Sequence, residues 1–144
     1  MADITKSLRT YLLTQSTVTD VCGTRINFDE ADQSWIDNSA THVLLHFITG
    51  DSVRSLDGPS GLARTVVQVD CLSDSHQTAT DLREQIRLVT ENTTNATWGS
   101  QAIGRCYANK IADSTDRPSK GAAHSRRKCP LELTVWHTEA LPTT

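Results

Sequence analysis

Between Arg64 and Val89 the spacing of the apolar residues changes once, from every second position to every third or fourth. Val67, Val69 and Cys71 alternate with the polar Gln68 and Asp70, which is the period of a strand with one covered face. Ala79, Leu82, Ile86 and Val89 then follow at helical spacing. The change falls at Asp74-Ser75-His76-Gln77, which reads as a capping box with Asp74 as N-cap and Gln77 at N3, opening a helix that runs to about Asn92. A chain holding this join must pack a helix against a sheet.

The sequence before the join supplies a partner strand. Thr41 to Thr49 is rich in β-branched and aromatic residues, with Val43, Leu45 and Phe47 on one face and Leu44, His46 and Ile48 on the other, so both faces should be covered. Gly50-Asp51-Ser52 and Leu56-Asp57-Gly58-Pro59-Ser60-Gly61 are turn residues, and the two strands are expected as an antiparallel hairpin with a long connection. Asp3 to Gln15 carries Ile4, Leu8, Tyr11 and Leu12 behind an Asp3 cap and predicts an amphipathic helix over 3–15. Thr17 to Val21 adds a further helical turn, Arg25 to Phe28 a short strand, and the polar Asp29 to Ala40 a loop anchored by Trp35 and Ile36. Trp98 to Ala108 reads as a third strand and residues 130–138 as a fourth, with Leu131, Leu133 and Val135 inward, Trp136 outward, and Pro130 marking a strand start or an edge. Residues 109–125 lack any apolar period and are expected as a long loop, which in a compact domain is uncommon and tends to carry function. The expectation is α+β: a mainly antiparallel sheet of about four strands packed by two helices, in one domain spanning 1–144, with its core strands and helix within 41–108.

Side chains that could carry chemistry are scattered. His42 and His46 share a strand face but stand about 13 Å apart at the usual rise, too far to share a metal ion. Cys22, Cys71, Cys106 and Cys129 form no C-x-x-C pair and read as reduced thiols. No phosphate-binding glycine motif and no nucleophile elbow is present, and the Asp29, Glu30 and Asp32 cluster reads as solvated surface. The reading is not an enzyme, with no cofactor and no metal. No apolar run approaches the roughly 20 residues of a membrane span, and no basic-then-apolar start marks a secretory signal, so a cytoplasmic site of synthesis is expected.

Charge is unevenly placed. The whole chain carries −3, yet Lys110 to Lys128 holds six basic and two acidic residues, a local +4 that leaves −7 elsewhere. Such asymmetry suits head-to-tail contact between like subunits. Arg126-Arg127-Lys128 could also contact phosphates, though without interleaved aromatics, which keeps a nucleic-acid-binding module as a lesser alternative.

Thr24-Arg25-Ile26, the turn from Gly58 to Ala63, and the Val67-Gln68-Val69-Asp70 strand leading into the helix resemble the tail-completion family of long-tailed bacteriophages, the tail terminators or tail-to-head joining proteins. The resemblance spans about Ile4 to Glu139. It implies a virion protein of the tail and neck, assembled in the bacterial host cytoplasm as a ring, hexameric in this family. Its implied partners are further copies of itself, the tail tube protein and the head-completion or stopper protein, with genomic DNA passing through the ring and no membrane. A head-completion or adaptor ring subunit is the nearest alternative. From charge and expected exposure, Arg25, Trp35, Arg54, Asp57, Arg117, Lys120, Arg126, Arg127 and Trp136 are the candidate interface residues.

Overall fold

The computed structural model describes residues 3–38, 40–55, 58–116 and 126–138. Among the described residues, four helices and seven strands follow one another as α1 (Ile4–Leu13), α2 (Ser16–Cys22), β1 (Ile26–Phe28), α3 (Gln33–Asp37), β2 (His42–Ser55), β3 (Gly58–Ser73), α4 (His76–Glu91), β4 (Thr94–Trp98), β5 (Gln101–Lys110), β6 (Ser114–Asp116) and β7 (Arg126–Thr138). The strands form one sheet in the order β1-β2-β3-β7-β5-β4, with β6 paired to the start of β7. The α+β class is as expected, but the sheet is larger than four strands and mixed, because β1 runs parallel to β2 with Ile26 opposite Val43.

The helices start where short polar side chains can serve free backbone donors. Asp3 Oδ1 accepts from the Lys6 amide at 3.2 Å, the expected cap of α1. For α4 the cap is Ser75, whose Oγ accepts from the Thr78 amide at 3.3 Å, one residue beyond the expected Asp74. Asp74 instead faces Arg126, with Oδ1 3.2 Å from Nε, so its carboxylate is committed elsewhere.

One face of the sheet meets these helices. Ile4, Leu8 and Leu12 of α1 and Ala79, Leu82 and Ile86 of α4 share a buried cluster with Val43, Leu45, Val67, Val69, Leu131, Leu133 and Val135. Full burial of such side chains stabilises by about 1.5–3 kcal/mol each, so this face carries most of the fold. Trp98, fully buried, stacks on Tyr11 with ring centroids 5.3 Å apart, and Tyr11 Oη donates to the Val89 carbonyl at 2.7 Å, tying α1 to the end of α4.

Several boundaries differ from expectation. The turn-like residues 50–55 and 58–63 continue β2 and β3 into one long hairpin, with register shifts between Phe47 and Thr49 and between Ser52 and Arg54. The β2 residues passed over at these shifts are Ile48 and Val53, while Gly50, Gly58 and Pro59 keep partners in Thr65, Ser55 and Arg54, so the bulges let the ladder run on through the turn-like residues. Trp98 to Ala108 is split by a turn at Gly99, whose φ of +62° suits glycine, into β4 and β5. Part of the expected loop 109–125 is strand, since β5 reaches Lys110 and β6 occupies Ser114–Asp116; residues 117–125 lie outside the described ones. Pro130 lies inside β7, a central strand, opposite Asp70. Its carbonyl accepts from the Ile111 amide at 3.2 Å, so its missing N–H faces the gap where β7 changes partner from β6 to β5 and no ladder donor is required.

Candidate functional site

The alternation of β3 and β7 that sends Val67, Val69, Leu131 and Leu133 to the helices sends another set to the opposite face. In register there stand Arg64 opposite Trp136, Val66 opposite Thr134 and Gln68 opposite Glu132, with Arg105 and Tyr107 of β5 beside Trp136 and Thr134. Arg64 holds Asp51 at 2.8 Å and places its guanidinium carbon 6.0 Å from the Trp136 ring, while that of Arg105 lies 5.2 Å from the Tyr107 ring. Leu62 and Tyr107 are 38% and 50% exposed, so this face is a cation and aromatic surface open to contact. Phe28 and Phe47, in register with Leu45 and Val67 of the helix-facing set, are exposed together with Ile48 towards the β1 edge, and Leu88 of α4 is exposed on the helical layer.

One corner of that face is closed by α3 and Ala40. Trp35 lies 5.5 Å from the His42 ring, and Arg126, 1% exposed, donates from Nη1 to the Trp35 carbonyl at 3.4 Å and from Nη2 to the Ala40 carbonyl at 2.5 Å. Arg126 is therefore an internal clamp, against the expectation of an exposed interface cation; alternation puts it on the same face as Glu132 and Trp136, and the cover from Trp35 and Ala40 buries it, while Arg127 stays exposed. Arg25 is likewise committed within the chain, with Nε donating to the Thr41 carbonyl at 2.7 Å. Trp35 and Trp136 are half-buried and Arg127 is exposed. Arg54 belongs to β2, opposite Pro59, and its side chain lies outside the described part, as do Asp57, Arg117 and Lys120 altogether.

Beside the aromatic stripe, Asp70, with a side chain only 3% exposed, gathers partners that sequence reasoning did not connect. His46 Nε2 lies 2.8 Å from Oδ2, Gln68 Nε2 donates to Oδ1 at 2.8 Å and Lys128 Nζ is 3.5 Å from Oδ2. The other His46 nitrogen lies 3.1 Å from Asp29 Oδ1, which joins β1's end to the sheet face. Both histidines of β2 act within the fold.

A second polar group forms on the helical side. Arg83, 9% exposed, sends Nη1 to Asp113 Oδ1 at 2.5 Å and to the Ile111 and Pro130 carbonyls at 3.3 and 3.5 Å. Next to it, one ligand atom each from His76, Asp113 and Cys129 fall within 4.8 Å of one another. Sequence spacing could not reveal this group, because its members come from α4, the β5–β6 connection and β7. Burial raises all four thiols: Cys22 to about 11, Cys106 to about 12, Cys71 well above its ordinary value, and Cys129 upward with the Asp113 carboxylate adding to the effect. All four cysteines are buried and free of disulfides.

No family model matches the sequence, and no curated protein matches it. Solved structures do share its shape. A chain of the virion of a native gene transfer agent particle superposes with a TM-score of 0.59 at 12% identity, over 92% of this chain and 94% of that one. A second solved structure aligns over 91% of this chain and 94% of its own at 14% identity and a TM-score of 0.45. The first likeness shows a shared fold from end to end.

Proposed function

We propose that this chain is a structural subunit of a phage-like virion, a ring-forming protein that terminates the tail tube and joins it to the head-completion complex. The observation that carries the reading is the end-to-end fold correspondence with a chain from a gene transfer agent virion. The exposed aromatic and cationic sheet face, the apolar residues at the β1 edge and the long β2–β3 hairpin support it, since assembly subunits need several separate contact surfaces.

On this reading function is geometry. A closed ring requires each subunit to present one patch to the neighbour before it and a different patch to the neighbour after it. Growth of the tube ends because the ring's far face no longer offers the surface that the tube protein recognises. Arg126, Lys110 and Lys128 are engaged within the fold, so the part of the subunit contact sensitive to salt would be carried by exposed charges such as Arg127.

The test is removal of this chain from an assembling particle. Tubes of uncontrolled length that fail to join heads are the expected products. Tails of normal length attached to heads would overturn the reading. Native mass spectrometry of the purified ring separates the hexameric terminator from a head-completion or adaptor ring, which differs in subunit number. A steep loss of DNA binding with rising salt, without ring formation, would favour the nucleic-acid-binding alternative.

A further inference from the structure

We infer that His76 Nε2, an Asp113 carboxylate oxygen and Cys129 Sγ form a binding site for a borderline divalent transition metal of the zinc class, with solvent completing the coordination. The three candidate donors lie within 4.8 Å of one another, and His76 Nε2 stands 3.8 Å from Asp113 Oδ2. Tetrahedral zinc places its donors 2.0 to 2.3 Å from the ion, roughly 3.3 to 3.8 Å from each other, so small side-chain rotations bring this set to bonding distance.

The chemistry of the donors selects the metal. One imidazole, one carboxylate and one thiol suit zinc or cobalt, whereas calcium takes roughly six to eight oxygens and magnesium a near-octahedral oxygen shell. The surroundings are organised for it as well. Arg83 holds Asp113 Oδ1 at 2.5 Å and fixes the same stretch of chain through the Ile111 and Pro130 carbonyls, which leaves Oδ2 turned towards His76. Outer-shell bonds of this kind orient a ligating carboxylate. Cys129 is buried and His76 largely exposed, so the site opens to solvent on the histidine side.

Binding releases the Cys129 thiol proton to solvent as the metal–sulfur bond forms. With a thiolate, a carboxylate, a dication and the Arg83 guanidinium together, the loaded site carries one net positive charge, so its affinity falls below that of a four-ligand cysteine and histidine site. A bound ion would fasten the first turn of α4 to the β5–β6 connection and to β7.

The experiment is a cobalt(II) titration of the untagged, reduced full chain, followed by zinc displacement and by thermal midpoints in zinc, calcium and magnesium. Expected are a thiolate-to-cobalt charge-transfer band, its loss on adding zinc, and a midpoint raised by zinc alone. Cys129→Ser should abolish the band. His76→Ala, at an exposed position that leaves the core intact, should weaken cobalt binding about tenfold or more while keeping the native circular dichroism. The proposal is overturned by the absence of the band in the parent chain, by unchanged affinity in His76→Ala, or by equal stabilisation from magnesium or calcium.

Discussion

Arg126 and Arg127 are adjacent, identically charged and opposite in consequence. Arg126 is buried, donating to the half-buried Trp35 and Ala40 carbonyls and paired with Asp74, so Arg126→Met would take the donor from all three. That change should lower unfolding stability by about 2–4 kcal/mol, read as a smaller urea midpoint with unchanged slope. Arg127→Glu, on the exposed side of β7, should stay within about 0.5 kcal/mol of the parent. Equal effects of the two substitutions would refute the clamp. The pair also limits what charge reversal can say about a ring: reversing Arg126 tests folding, whereas reversing the exposed Arg127 bears on contact. Residue by residue, the sequence disclosed which positions alternate but not where a long basic side chain ends. Arg83 and Arg126 are committed to carbonyls and carboxylates far along the chain, and no local spacing encodes such partners.

The element that sequence alone delineated best, α4, also holds the clearest electrostatic signature. Arg87 bridges Glu84 and Glu91 on its outer face, the latter at 2.7 Å, and Lys110 of β5 reaches Glu84 at 3.2 Å. Hydrogen bonds from Arg87 and then Lys110 hold the Glu84 carboxyl down at about 2. A carboxyl depressed in the folded state stabilises above its unfolded value, about 4.3, and that contribution is lost as pH falls from there towards about 2. Glu84→Gln should therefore flatten the acid limb of stability between those values and leave the neutral-to-alkaline slope alone, measured by urea unfolding across pH. Because the pair is solvent-exposed the effect is small and shrinks in high salt. The four-residue spacing of Arg87 and Glu91 is visible in the sequence, whereas the contact from Lys110 is not, since it arrives from another strand. The same division holds for strands. Alternation marked residues 41–49 and 64–72, but the continuation of β2 and β3 through Gly50, Gly58 and Pro59 depends on each strand supplying the other's backbone partners across bulges. The parallel pairing of β1 with β2 is equally invisible locally, because it depends on the connection through α3 and not on the composition of either strand.

At the scale of the whole molecule, four thiols raised by burial make alkaline pH a probe of the intact core. The unfolded chain ionises its cysteines near 8.5 while the folded chain keeps them protonated to about 11 or 12 at Cys22 and Cys106. The unfolded state then holds fewer protons, so stability is full below about 8.5 and falls as pH rises through that window, an effect serine substitution at Cys106 should reduce. Exposed groups define the complementary prediction, which concerns assembly. Phe28, Phe47 and Ile48 lie towards the β1 and β2 side of the sheet, and Tyr107 lies on β5, across β3 and β7 from them. If a ring joins these two sides head to tail, Phe47→Ser with Ile48→Ser damages one patch and Tyr107→Ser the other, each weakening the contact by about 2 kcal/mol or more without lowering the monomer's thermal midpoint. Each variant retains one sound patch, and the two sound patches are complementary. An equimolar mixture should thus form heterodimers, each through one intact contact, while neither variant associates alone and neither mixture nor variant closes into rings. A two-fold contact in which each patch meets its own copy would give no such rescue, and light scattering with mass spectrometry of the mixture distinguishes the two arrangements.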